Sequence, residues 1–269
     1  KYFWYFKTHH LVFDGFSMSL FFNKVSLIYS EKLKGNNHKI NLKLNSYLDY
    51  IKKDKKYLKS DRYKNDKTFW VNKIKSSSLG KAFDSSLKLS NSRYLKSYRS
   101  EIKLSILQIK NGESFLTKYN VTLFQYSLTI LFILNKLYNS YSENTCIGIP
   151  VFNRQDFQKK NTIGNFVNVF PFSISCKSSD SFLKVLLSLK NDLSKCYRHH
   201  SFPLYELLNE VDSQGNLFNT SFSFQKNEYK SSLGLAEVEF SFMHAGEQQE
   251  DLAFHLLEYS KHEDLVLAV

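Results

Sequence analysis

The chain has 269 residues, of which 42% are hydrophobic and 16% aromatic, so it can bury a sizeable core and is not a disordered tail. Its net charge is +12, but the lysines are dispersed and the densest run alternates with aspartate, which favours a solvated helix over a nucleic-acid-binding arm. The cysteines, Cys146, Cys176 and Cys196, show neither zinc-site nor disulfide spacing, which indicates a reducing, cytoplasmic setting.

The first predicted element is a strand. Residues 1–13 are apolar on both faces and rich in aromatic side chains, which is typical of a central strand buried on both sides. Asp14 and Gly15 end this strand, a helical period follows after Ser17, and Gly35 is suited to end the helix. Because the chain starts and stops inside apolar segments, we expect it to be a piece of a longer polypeptide.

The remaining pattern mixes helices and strands along the whole length. Helices are predicted at 47–59, 66–74, 121–139 and 179–199, the last capped by Ser179 or Asp180. Strands are predicted at 98–105, 144–154, 162–174 (after an initial loop), 218–225, 236–242, 251–260 and 264–269. The helix at 121–139 is interrupted by polar residues, so we expect it to be buried in the protein and not in a membrane. This order predicts an α/β fold of sandwich layers.

One short motif carries most of the chemistry. His9 and His10 are followed by three apolar residues and then by Asp14 and Gly15, at a predicted junction of strand and helix. The imidazole of His10 can accept a proton near neutral pH, and Asp14 is placed to form a buried ion pair that fixes the turn. The N–H of Gly15 could face an oxyanion. The motif suits acyl transfer; a core histidine followed by an ordinary turn is the structural alternative.

The motif HHLVFDG resembles the active-site motif of condensation domains of nonribosomal peptide synthetases, which are chloramphenicol-acetyltransferase-like acyltransferases. Further segments are similar to this family in the same order: YLDYIKKDKKY, KTFWVNKI, GIPVFNR, IGNFVNVFPFSI, RHHSFPLYELL, LFNTSFSFQ and DLAFHLLEYSKHEDLVLAV. The resemblance implies a two-lobe α/β sandwich with an incomplete N-terminal lobe. Residues 1–110 would hold the C-terminal part of that lobe and the lobe junction, and residues 111–269 the C-terminal lobe. Residues 3–35 look most similar to domains that open an assembly line, as in enterobactin-type siderophore synthetases.

The resemblance also implies roles for individual residues. His10 would act on the acceptor amine as base or positioner, and the Gly15 N–H would bind the oxyanion. His9 and the Asp14–Arg154 pair would support the site.

Two further residues, Asn168 and Ser17, would lie on the substrate channel; a turn side chain bonded to its own backbone is the alternative for Asn168. His200 and Ser201 stand where the family often has Gln-Asp, and we interpret the His199–His200 pair as structural.

The implied reaction is amide formation: an amine on one thioester attacks a second, acyl thioester. Donor and acceptor carrier domains would hold both substrates on 4′-phosphopantetheine arms, with an adenylation domain in the same polypeptide. No intrinsic cofactor, metal, nucleic acid or membrane is implied.

The sequence leaves other functions open. A stand-alone acyltransferase could use coenzyme A, although the IGNFVN and PVFNR segments favour condensation. An epimerase is disfavoured by the Gly after Asp. A fragment that docks carriers without catalysis is the alternative outside enzymes, and nucleic-acid binding has only the charge in its favour.

Overall fold

The computed structural model of the chain describes residues 2–36, 43–77, 80–83, 95–139, 145–211, 217–226, 232–239, 244, 246–258 and 264–269. The fold forms two compact units. The first comprises Lys1–Ser60, Phe152–Val167 and Asn227–Phe242, and the second Asp61–Val151, Asn168–Lys226 and Met243–Val269. Each unit gathers stretches that are distant in sequence, whereas the predicted lobes meet at a single boundary; the lobe limits stay a prediction.

The regular elements are mixed in chain order. The helices are α1 (Gly15–Leu33), α2 (Tyr47–Tyr57), α3 (Asp61–Lys75), α4 (Ile106–Lys118), α5 (Leu123–Tyr138), α6 (Phe157–Lys160), α7 (Phe182–Arg198) and α8 (Leu204–Glu210). The strands are β1 (Gly80–Lys81), β2 (Leu95–Lys96), β3 (Glu101–Leu104), β4 (Thr145–Val151), β5 (Asn168–Ile174), β6 (Thr220–Lys226), β7 (Ser232–Leu233), β8 (Ala236–Glu237), β9 (Glu247–Gln248), β10 (Leu252–Glu258) and β11 (Leu265–Ala268).

The prediction of a central strand at residues 1–13 is wrong. Residues 2–9 form neither helix nor strand, and residues 10–12 form one 3-10 turn. A strand needs hydrogen-bonded neighbours, and none of the described strands pairs with this segment. Tyr2, Phe3 and Trp4 are exposed, so their apolar character alone does not bury them.

Helix α1 anchors the first unit. Asp14 caps its N-terminus, and Gly35 follows its last turn with φ +74°, the left-handed conformation that favours glycine. Strands β7 and β8 form an antiparallel hairpin on this helix, where Ser26 Oγ donates to the carbonyl of Ser232 at 2.7 Å. The helix starts earlier than its apolar period because the cap, and not the first apolar residue, sets its beginning.

The second unit is built on a seven-stranded sheet. Strands β1, β4, β6, β10, β11 and β3 lie side by side in that order, and β5 pairs with β4 in addition. The β4–β6 and β6–β10 pairs are parallel, whereas β10–β11, β11–β3 and β4–β5 are antiparallel. Strands β2 and β9 form a separate two-stranded sheet.

A hydrophobic core cluster covers one side of this sheet. Its largest fully buried members include Trp70 of α3, Leu128 of α5, Leu189 of α7 and Phe172 of β5. The amphipathic period of α7 places a continuous apolar face on the sheet, as its sequence pattern predicts. Helices α3, α5 and α7 therefore owe their positions to burial of these side chains.

Most predicted elements are confirmed, with local corrections. The helices expected at 47–59, 66–74, 121–139 and 179–199 are α2, α3, α5 and α7, and the strands appear as β3, β4, β5, β6, β10 and β11. Of the strand expected at 236–242 the structure has only β8, and residues 240–242 lie outside the described residues. Ser181 caps α7, because its side chain accepts the N–H of Lys184; Asp180 instead accepts the N–H of Lys177.

The pattern does not predict α4, α6 or α8. Helix α4 contains Gly112, a weak helix former, yet a capping box between Ser105 and Gln108 starts it. Within the described residues no single helix is long and apolar enough to cross a membrane; α4 and α5, bent by 97°, meet that test only when taken together.

Candidate active site

A buried carboxylate organises the turn before α1. Asp14 is 2% exposed, and its Oδ1 accepts the N–H of Ser17 at 2.8 Å, which caps the helix. Its Oδ2 accepts the N–H of Phe166 at 3.1 Å. One side chain thus joins the motif to the loop before β5, about 150 residues later in the chain.

Arg154 neutralises this carboxylate. Its Nη2 lies 2.8 Å from Asp14 Oδ1 and its Nε 3.1 Å from Oδ2, so the contact is bidentate. The guanidinium also donates to the carbonyls of Thr162 at 2.7 Å and Gly164 at 3.0 Å. The ring of Phe166 covers it at 4.1 Å. Nearly every N–H group of the guanidinium therefore has an acceptor. These hydrogen bonds offset the cost of burying the two charges.

Ser17 belongs to this buried network. Its side chain is fully buried, and its Oγ accepts from Arg154 Nη2 at 2.8 Å while donating to the carbonyl of Gly164 at 2.8 Å. The expectation that Ser17 lines a substrate channel is therefore corrected: a hydroxyl without solvent exposure supports the turn and does not face substrate.

The loop before β5 fits tightly against α2. A Cβ added to Gly164 would lie 2.2 Å from the ring of Tyr47, so only glycine fits there. The hydroxyl of Tyr47 donates to the carbonyl of Asn165 at 2.6 Å, and Tyr50 packs on Phe166 with ring centroids 4.5 Å apart. Sequence reasoning assigned no role to these residues, although they lie in the YLDY and IGNF segments that carry the family resemblance.

The two groups expected to do chemistry are exposed. His10 lies in the 3-10 turn, and Gly15 is the first residue of α1, where a backbone N–H has no intrahelical acceptor. Apart from its chain neighbours and the backbone of its own helix, no heavy atom of the described residues lies within 4 Å of a Cβ built on Gly15. His9 has a different role, because its Nδ1 accepts the N–H of Leu11 at 3.1 Å and so shapes the turn. The supporting pair Asp14–Arg154 is buried, whereas His10 and Gly15 are exposed residues.

Asn168 lies in the second unit, at the start of β5. Its side-chain Nδ2 donates to the carbonyls of His200 and Phe202, both at 2.7 Å. These bonds hold the segment after α7 and do not close a turn of Asn168 on itself. Its expected place on a substrate channel stays a prediction.

His199 and His200 make structural contacts. His199 Nδ1 lies 2.7 Å from Oδ1 of the fully buried Asp66, and the imidazole stacks on Phe69 at 4.0 Å. The carbonyl of His199 accepts from Trp70 Nε1 at 2.7 Å. His200 Nδ1 contacts the carbonyl of Tyr197. These contacts agree with the structural interpretation of the histidine pair.

Comparison with known proteins identifies the family. The family model of the condensation domain matches residues 1–269. The chain belongs to the condensation domain family. Condensation domains are acyltransferases that form amide bonds in nonribosomal peptide synthesis.

Individual relatives are distant and much longer. The chain is 26% identical over 243 residues to surfactin synthase subunit 1 of Bacillus subtilis (strain 168). This alignment covers 86% of this chain and 6% of that protein. It is 22% identical over 248 residues to vanchrobactin synthetase VabF of Vibrio anguillarum, covering 91% of this chain and 8% of the relative. The chain thus spans only a small part of the curated relatives that it matches.

Solved structures show the same fold. The first condensation domain of the calcium-dependent antibiotic synthetase, in complex with a substrate analogue, has a TM-score of 0.82 at 16% identity, covering 97% of this chain and 58% of that chain. The starter condensation domain of rhizomide synthetase has a TM-score of 0.81 at 16% identity, with the same coverage. The fold of the chain is therefore the chloramphenicol-acetyltransferase-like α/β fold of condensation domains.

Proposed function

We propose that this chain catalyses condensation between an acyl thioester and an aminoacyl thioester, each carried on the phosphopantetheine arm of a carrier domain. The observation that carries the proposal is the buried, bidentate Asp14–Arg154 pair beside two exposed residues, His10 and Gly15. Such a pair keeps the turn rigid while leaving the imidazole and the amide free to meet a substrate. Family membership supports the same reaction class.

The proposed steps use one base and one hydrogen-bond donor. The uncharged amine of the acceptor attacks the donor thioester carbonyl, the C–N bond forms, and His10 takes the proton that the nitrogen loses. The Gly15 N–H donates to the oxyanion of the tetrahedral intermediate. When the intermediate collapses, the C–S bond breaks and the thiolate leaves and is protonated. Positioning of two tethered substrates would contribute a large part of the rate.

Amide formation by the full-length protein tests this proposal. With loaded donor and acceptor carriers, we expect His10→Ala to lower the rate of product formation by about 10²–10⁴-fold, the usual contribution of a positioned base. His244→Ala is the matched control, since His244 is an exposed histidine outside the motif. Mass spectrometry of the carrier-bound product gives the rate. Near-normal turnover by His10→Ala would refute the role of His10 as base.

A non-catalytic carrier-docking domain is the alternative. One structural neighbour has been solved with a bound protein partner, which is the kind of role that this alternative describes. The X-domain from teicoplanin biosynthesis resembles this chain with a TM-score of 0.78, and its complex with OxyB with a TM-score of 0.76. Carrier binding by the wild-type protein without any amide product would favour this alternative. Product formed from free acyl coenzyme A, without a carrier, would instead indicate a stand-alone acyltransferase.

The finer assignments belong to the same proposal. A place at the start of an assembly line, as in enterobactin-type synthetases, is supported by the similarity of residues 3–35 to such domains. An adenylation domain in the same polypeptide is supported by the much greater length of the synthetases that the chain resembles. A cytoplasmic setting is supported by the three buried cysteines, which are free thiols. Loading the donor carrier with an acyl group lacking an upstream peptide tests the starter assignment.

A further inference from the structure

The loop before β5 supports the turn before α1 with its backbone. Residues 163–167 belong to no helix or strand. The N–H of Gly164 donates to Ser17 Oγ at 3.0 Å, and the carbonyl of Gly164 accepts from the same hydroxyl at 2.8 Å. The N–H of Phe166 donates to Asp14 Oδ2 at 3.1 Å. The orientation of Asp14 therefore depends on where this irregular loop lies.

Tyr47 of α2 contacts this loop at three consecutive residues. Its ring packs against Gly164, where an added Cβ would lie 2.2 Å from it. Its hydroxyl donates to the carbonyl of Asn165 at 2.6 Å, and its ring meets that of Phe166 edge to face, with centroids 5.3 Å apart. Burial raises the pKa of Tyr47, so the hydroxyl keeps the proton that it donates. One side chain thus holds the part of the loop that contacts the turn.

His10 depends on an anchored turn more than Gly15 does. Gly15 opens α1, a helix of 19 residues, whose own hydrogen bonds fix the backbone. His10 belongs to a single 3-10 turn, in which the N–H of Phe13 lies 3.4 Å from the carbonyl of His10, a long hydrogen bond. Two groups attach the end of this turn: the ring of Phe13, 6.2 Å from that of Phe21, and the carboxylate of Asp14. A displacement of Asp14 is therefore transmitted to His10.

We propose that Tyr47 is a positioning residue of the condensation reaction: it holds the loop before β5 so that Asp14 keeps His10 in place to act on the acceptor amine. The inference rests on the proposed function. Because a displacement of about 1 Å can cost 10²-fold in rate, a loosened loop lowers kcat. Tyr47 is half-buried against the loop, so we expect carrier binding, measured as KM, to stay unchanged.

Tyr47→Phe in the full-length protein tests the inference, because it removes the hydroxyl and keeps the ring. With loaded donor and acceptor carriers, we expect kcat to fall about three- to tenfold, the rate equivalent of one hydrogen bond, and KM for the acceptor carrier to stay within about twofold. Tyr29→Phe is the matched control, since Tyr29 lies on α1 of the same unit and is 45% exposed. Wild-type kcat in Tyr47→Phe, or a higher KM at wild-type kcat, would overturn the inference.

A combined variant separates positioning from a loss of folded protein. A smaller folded fraction would lower the rate by the same factor whether or not His10 is present. Positioning of His10 predicts instead that Tyr47→Phe changes the residual rate of His10→Ala by less than about twofold, because the positioned group is already gone. An equal loss in both backgrounds would overturn the inference.

Removal of the whole ring should have a larger effect. Tyr47→Ala also deletes the contacts with Gly164 and Phe166, and we expect kcat to fall by about 10²-fold, the cost of a displacement of about 1 Å. A smaller loss in a folded Tyr47→Ala protein than in Tyr47→Phe would contradict the inference. If urea denaturation shows that Tyr47→Ala does not fold, Tyr47→Phe and its combination with His10→Ala decide the question.

Failure of the inference is distinguishable from failure of the proposed function. A wild-type protein that binds loaded carriers and forms no amide would refute the proposed function. Amide formation that requires His10 and is unchanged by Tyr47→Phe would support the proposed function and refute the role of Tyr47 alone.

Discussion

Arg154 binds both carboxylate oxygens of Asp14, although 140 residues separate the two in the chain. The side chains are 3% and 0% exposed, so water cannot replace either partner. This contact ties the HHLVFDG motif to the loop before β5. Arg154 also donates to Ser17 Oγ and to the carbonyls of Thr162 and Gly164, so its loss would remove several buried contacts at once.

Loss of Arg154 should leave a buried, uncompensated carboxylate. We expect Arg154→Ala to lower the free energy of unfolding by about 3–5 kcal/mol. Urea denaturation measures this change, and Arg198→Ala, an exposed arginine at the end of α7, should change it by less than about 0.5 kcal/mol. Equal stability of the two variants would contradict the ion pair as described.

Substitution by alanine should change the stability of the protein at one glycine of the site and hardly at another. Gly164→Ala places a methyl group 2.2 Å from the ring of Tyr47, and such overpacking costs about 1–3 kcal/mol. Gly15→Ala places it where no described heavy atom beyond the chain neighbours and the helix's own backbone lies within 4 Å, and it should leave stability within about 0.5 kcal/mol of wild type. Thermal unfolding of both variants compares them. A destabilised Gly15→Ala protein would show that this turn is more crowded than its geometry indicates.

The thiols of Cys146 and Cys196 should be inert in the folded protein. Burial raises the pKa of each to about 12, so hardly any reactive thiolate exists at pH 8. We expect iodoacetamide to modify neither residue in native buffer and both in urea, as measured by peptide mass spectrometry. Rapid labelling of either residue without denaturant would contradict their burial.

The stability of the protein should depend on His255 in mild acid. Burial lowers the pKa of His255 in the folded state below its usual value, so the unfolded chain binds the proton more readily. The stabilising contribution is present above the unfolded pKa of about 6.5 and is lost as the pH falls through the lower folded pKa. His255→Phe should therefore reduce the loss of unfolding free energy between pH 7 and pH 5.

The matched histidine for this experiment is His244, which is exposed. His244→Ala should keep the pH dependence of the wild-type protein, measured by urea denaturation at each pH. A His255→Phe protein with the same pH dependence as wild type would show that another group governs stability in this range.

Local patterns in the sequence were sufficient for the long elements and for the motif. The apolar period of α7 and the β-branched and aromatic runs of β4 and β6 predict their own structures, because each buries one face or both. The order His9, His10, Asp14, Gly15 predicts a turn at the start of a helix, and its similarity to the condensation-domain motif carried the prediction of acyl transfer.

Only the tertiary structure decided which partners these residues meet. It corrected the strand at residues 1–13 and the role of Ser17, because strand pairing and burial depend on neighbours that lie far away in the chain. The fit of Gly164 against Tyr47 and the pairing of β3 with β11 and of β6 with β10 likewise depend on contacts between distant segments. Side-chain periodicity reports which face of an element is apolar, whereas the identity of the group opposite that face is set by how the whole chain packs.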